Sequence, residues 1–98
     1  QWINFSGSGA IAIRDSFNTT SITDNGTGNY TVTIANNMDN GDYSAFLQAD
    51  SNDSAGSIYT NNPDIFSSFI GSYRVGTYNN NNFADLDFIR SGLFGDLA

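Results

Sequence analysis

Asp85 and Asp87 are the residues here whose type and spacing come closest to a catalytic pair. Two apart on a strand, they would share one face at a separation of about 7 Å, within the range spanned by the acid/base pairs of glycosidases. No hydrophobic neighbourhood is written around them to hold one carboxyl protonated. Aspartate at a strand's flank ordinarily solubilises it or protects an edge, so the structural reading outweighs the catalytic one. The sequence contains no His and no Cys. Ser therefore lacks its usual general base, thiolate chemistry has no nucleophile, and zinc loses its commonest ligands. No catalytic residue, cofactor or metal is assigned. Asp50-Ser51-Asn52-Asp53-Ser54-Ala55-Gly56 places oxygen-bearing side chains at alternate positions like the start of a calcium loop. Its glycine comes one residue late, however, and no Glu closes the site.

Aromatic rings beside amide side chains form the other constellation. An aromatic face next to hydroxyl-seeking amides is a workable platform for a sugar. Tyr59 adjoins Asn61 and Asn62, and Tyr78 opens the run Asn79, Asn80, Asn81 and Asn82; Trp2 and Tyr73 are further ring candidates. The competing reading is that Tyr is simply a good strand residue. Asn-x-Ser/Thr sequons at Asn4, Asn18, Asn25, Asn29 and Asn52 are what chance gives in a chain this rich in Asn, Ser and Thr.

The elements that must position these residues are strands. Lys and Glu are missing, while Asn, Asp, Ser, Thr and Gly abound, which is turn and strand-edge chemistry. Hydrophobic residues make up 39% of the 98 positions, enough for a core and too many for a disordered chain. In "SITDNGTGNYTVTI", Tyr30, Val32 and Ile34 alternate with Thr31 and Thr33 after a run that tolerates positive φ; this predicts a hairpin between Ile22 and Tyr30 with a loop of more than two residues. Trp2 to Phe5 and Ala10 to Arg14 read as paired strands with Ile11 and Ile13 inward. Tyr43 to Ala49, Ser72 to Tyr78 and Asp87 to Phe94 alternate in the same way. Pro63 to Ile70 fits a helical turn or a strand equally, whereas Asp50 to Gly56 and Asn79 to Asn82 read as exposed loops. Six to eight short strands with turn signals between them predict an all-β fold, a small antiparallel β-sandwich or barrel-like domain spanning residues 1–98.

The net charge of −7, with three dispersed arginines, Arg14, Arg74 and Arg90, opposes binding to phosphate backbones, so no nucleic-acid partner is expected. No apolar run reaches the ~20 residues of a membrane span, and no membrane insertion is expected. Phe46, Phe66, Phe69, Ile70 and Phe83 exceed what one small interior needs and are candidates for contacts between subunits.

The stretches "NFSGSGAIAIRDSFN" and "SITDNGTGNYTV" and the terminal "LFGD" resemble the C-terminal domain of tail-fibre-like virion proteins of tailed bacteriophages, marine ones especially. The resemblance runs from about Trp2 to Ile34 and resumes at Leu93 to Asp96. It implies a virion structural protein without catalytic residues or cofactors, a homotrimer contacting other virion proteins, and attachment to a host-surface glycan or protein. Receptor contacts are then expected at Tyr59, Asn61, Asn62, Tyr78, Asn79, Asn80, Asn81 and Asn82, through stacking and hydrogen bonds rather than charge. A capsid-decorating or head-fibre protein without a receptor role is the alternative. Gln1 in place of an initiator Met fits the C-terminal part of a longer fibre protein or a processed chain.

Overall fold

The computed structural model describes residues 1–50, 64–79 and 82–98. Its strands are β1 (Trp2–Ser6), β2 (Ala12–Phe17), β3 (Thr19–Gly26), β4 (Asn29–Ile34), β5 (Ser44–Asp50), β6 (Asp64–Ser68), β7 (Ser72–Gly76), β8 (Tyr78–Asn79), β9 (Asn82–Phe83) and β10 (Phe88–Phe94). Eight of them build two four-stranded antiparallel sheets, a first in the order β2-β1-β10-β5 and a second in the order β3-β4-β7-β6. The two-residue strands β8 and β9 pair with each other. The chain is an all-β sandwich, with no helix among the described residues.

Alternation dictates the layers. Ile3 and Phe5 on β1 and Ile89 and Leu93 on β10 are buried, as are Tyr30, Val32 and Ile34 on β4 and Tyr73 and Val75 on β7. They belong to one continuous apolar cluster, in which each fully buried aliphatic or aromatic side chain contributes about 1.5–3 kcal/mol. Phe5 meets Tyr30 edge-on, with ring centroids 5.1 Å apart. Ser91 is the polar exception on the inner face of β10. Its Oγ lies 2.8 Å from the Tyr73 hydroxyl, which also donates to Gln1 Oε1 at 3.0 Å, so these three side chains satisfy one another.

Four local expectations change. The β3–β4 turn is only Thr27-Gly28, flanked by the pair Gly26↔Asn29, because the ladder absorbs Asn25 as a bulge between Asp24 and Gly26. Ile13 is 40% exposed rather than inward; a register shift between Asn4 and Phe5 lets β2 slip against β1 there. Asn79 and Asn82 belong to a paired ribbon rather than an open loop. Finally, Asp85 and Asp87 precede β10 instead of lying within a strand. The open choice at Pro63 to Ile70 resolves as β6.

Candidate functional site

Asp85 ties the core to the turns. Its Oδ1 accepts hydrogen bonds from the Tyr30 hydroxyl at 2.6 Å and from the Gly28 amide at 2.8 Å. Burial first, and then the hydrogen bond to Asp85 and its charge, push the Tyr30 phenol well above its ordinary range. Burial, reinforced by the carboxylate, thus holds Tyr30 neutral. Around it, Gly7 N donates to Leu86 O at 2.9 Å and Ala84 N to Thr77 O at 2.9 Å, while Thr77 Oγ1 donates to Ala84 O at 2.6 Å. Asp87 is engaged separately, its carboxylate accepting from the Ser8 hydroxyl and its carbonyl oxygen from Arg14 Nη1 at 2.6 Å. The two aspartates therefore have different partners, Asp85 fastening Tyr30 and the β3–β4 turn and Asp87 engaging Ser8 and Arg14.

The ring-and-amide constellation divides. Tyr59, Asn61, Asn62, Asn80 and Asn81 lie outside the described residues, as does the candidate calcium loop beyond Asp50. Tyr78 stands on β8 and stacks on its cross-strand partner Phe83, with ring centroids 4.7 Å apart at 29°. Phe83 remains 51% exposed, so the short ribbon presents a two-ring surface beside Asn79 and Asn82. Tyr73 is fully buried and holds Ser91; it is no surface platform. Among the described residues no group of metal-ligating side chains gathers, and no helix is long and apolar enough to cross a membrane.

A second surface is more extensive. On the outer face of the first sheet, register aligns Phe17, Trp2, Gly92 and Phe46 in one row across β2, β1, β10 and β5. Phe94 follows on β10, its ring 5.5 Å from that of Phe46. With Gln1 and Leu93 these rings line a groove of about 380 Å³. The neighbouring row is polar and runs Asp15, Asn4, Arg90, Gln48. Beyond it Phe88 receives two guanidinium groups, Arg14 at 3.9 Å and Arg90 at 5.0 Å from the ring centroid. Across β3, β4 and β7 the second sheet carries polar side chains that bond one another: Arg74 Nη2 donates to Asn29 Oδ1 and Asn25 Nδ2 to Thr31 Oγ1. Two of the three arginines therefore converge on one ring instead of being dispersed.

Sequence reasoning singled out Trp2 and Phe46 separately and passed over Phe17 and Phe94. The available signal was parity. Phe94 lies an even step from Gly92 and Arg90, opposite in phase to the buried Ile89, Ser91 and Leu93. The chain matches no family model, no curated protein and no solved structure.

Proposed function

We propose that this chain is a non-catalytic bacteriophage virion protein, a tail-fibre-type attachment domain that binds a host cell-surface glycan or protein. The observation that carries the reading is the disposition of the rings. A closed core leaves Trp2, Phe17, Phe46, Phe83 and Phe94 between 39% and 67% exposed, gathered at two places on a rigid β scaffold. Contiguous exposed apolar patches of this kind mark interaction surfaces. The engagement of Asp85 and Asp87 in structural bonds supports a role without hydrolysis, and the resemblance of Trp2 to Ile34 and Leu93 to Asp96 supplies the virion context.

The same exposed rings favour a second reading, a capsid-decorating or head-fibre protein that uses them against other virion proteins. The assembly proposed in either case is a homotrimer. Adsorption to host cells separates the two. The domain is expected to bind intact cells and to lose that binding when Tyr59 and Tyr78 are both replaced by Ala while the fold persists. A folded double variant with unchanged adsorption removes the loop ribbon from recognition. A wild-type domain that binds no cells and labels the capsid lattice decides for the decorating role.

A further inference from the structure

The outer face of the first sheet carries a chemical sequence along its strands. At one end the Phe46 ring lies over Gly92, which pairs on its other side with Trp2; one row on come the amides Asn4 and Gln48 with Arg90, and one row further Arg14 and Arg90 meet Phe88. At about 3.3 Å per residue, these stations span roughly 13 Å. The guanidinium pair is the unusual feature. Two like charges drawn to one ring repel each other, and a chain with ten Asp has ample means to neutralise them. Among the described residues, however, no carboxylate pairs with either guanidinium. Asp15 instead accepts from the Ser16 amide, and the Asp87 carboxylate is taken by Ser8. Arg14 gives a single hydrogen bond, to the Asp87 carbonyl, and Arg90 gives none. Of the five N–H donors on each guanidinium, most remain free to receive an oxyanion.

We propose that this face binds an acidic glycan. The rings take the apolar faces of sugar residues, and Arg14 and Arg90 together take the carboxylate of a uronic acid. Planar guanidinium groups are matched to carboxylates and can bond them in a bidentate manner. Stacking on Phe88 holds both Arg stems in place in advance, which lowers the entropic cost of capture. The inference rests on the attachment reading only for the class of partner, a surface polysaccharide. It revises the expectation drawn from net charge: the charge of −7 belongs to the molecule, but this face carries two of its three cations. Because the protein as a whole repels polyanions, any binding of one must be local.

Calorimetric titration of the whole chain with alginate oligosaccharides, at low and at moderate salt, tests the proposal, with dextran sulfate and neutral dextran as parallel ligands. Wild type is expected to bind alginate, more weakly as salt rises, and not to bind neutral dextran. The double variant Arg14→Gln/Arg90→Gln is expected to lose at least tenfold in affinity with its melting profile retained. Arg90→Lys, which keeps charge but not the planar fork, is expected to fall between. Amide shifts on titration should be confined to the first sheet, β2, β1, β10 and β5. Tighter binding of dextran sulfate than of alginate would assign the site to sulfate rather than carboxylate and overturn the uronate claim. No binding of either anion, equal binding of neutral dextran, or an unchanged double variant would overturn the proposal altogether. Cell adsorption that survives the double substitution and excess alginate would leave the attachment reading standing and this one refuted.

Discussion

Replacing Gly28 by Ala tests how the turns are locked to the core, and Gly9 supplies the matched control. Both residues sit in the left-handed region, with φ of +65° at Gly28 and +63° at Gly9. An alanine at either pays the same conformational penalty, about 1–2 kcal/mol. Their surroundings differ. A Cβ at Gly9 meets nothing within 4 Å, whereas one at Gly28 would come 2.5 Å from Thr77 O, 2.8 Å from Ala84 N and 2.9 Å from Ala84 O. All three are backbone atoms, so no side chain can swing aside. Relief means moving a chain that carries the bonds Thr77 N to Gly28 O and Gly28 N to Asp85, both 2.8 Å. Overpacking adds about 1–3 kcal/mol, and each weakened hydrogen bond about 1 kcal/mol. Gly28→Ala should therefore cost roughly 3–5 kcal/mol against roughly 1–2 for Gly9→Ala. In a domain of this size that corresponds to melting points lower by about 15–30 °C and 5–10 °C respectively. Urea unfolding followed by Trp2 fluorescence, with thermal melts by circular dichroism, measures both. If the two variants agree within about 0.5 kcal/mol, crowding at Gly28 contributes nothing and the turn is not clamped as described.

Two further outcomes follow from the same contacts. Asp85→Ala should destabilise by about 2–3 kcal/mol, because the buried Tyr30 hydroxyl and the Gly28 amide both lose a charged acceptor, while Asp87→Ala, which frees one partly buried Ser8 hydroxyl, should cost about 1 kcal/mol; the reverse order in urea unfolding would contradict the assignment of Asp85 as the main fastener. Alkali should unfold the protein early: burial pushes the Tyr73 phenol from its ordinary 10.0 up to about 12, and Tyr30 is raised in the same direction. Below pH 10 both tyrosines are neutral in the folded and unfolded chain and their stabilisation is intact. Above it the unfolded chain ionises first, so stability falls as pH rises toward the folded values, by about 3 kcal/mol for Tyr73 alone. Urea midpoints across that range, read beside tyrosinate absorbance, should show the loss beginning near pH 10, and Tyr73→Phe should flatten it.

How much of this was legible in the sequence depended on the distance over which each feature is decided. Tyr30, Val32 and Ile34 announce a half-buried strand because the period of two is a local property of the pleat, and the structure buries all three. The Asp24-to-Asn29 run announces a reversal, but its length depends on how many of those residues the ladder with β4 absorbs, which is a property of the pair. Asp85 and Asp87 were misplaced for a related reason. Their spacing matches the strand period, while Asp85's position is set by Gly28 and Tyr30, more than fifty residues earlier. The convergence of Arg14 and Arg90 on Phe88 was still less visible, since it requires β1 to lie between β2 and β10. Single-residue parity within β10 was readable; the order of strands around it was not.

Gly92 shows how these levels meet in one position. Glycine within a central strand ordinarily weakens it, offering no side chain to pack, and β10 lies between β1 and β5. Here the vacancy is filled from the next strand. A Cβ on Gly92 would stand 2.5 Å from Phe46 Cε1 and 2.7 Å from its Cζ, so the Phe46 ring lies across the backbone where a side chain would be. With the ring laid flat, Phe94 can approach it, and Trp2 on the opposite neighbour of Gly92 is left standing as the far wall. Any larger residue at 92 would lift the Phe46 ring and fill the floor between the two walls. The groove is thus not a gap left by imperfect packing. It is formed by a glycine at the one register position that pairs with both Trp2 and Phe46, and its inward neighbours Ser91 and Leu93 keep the other side of the strand committed to the core. One strand therefore serves both surfaces, with its odd-numbered residues securing the sandwich and its even-numbered residues, Phe88, Arg90, Gly92 and Phe94, composing the outer face of the sheet.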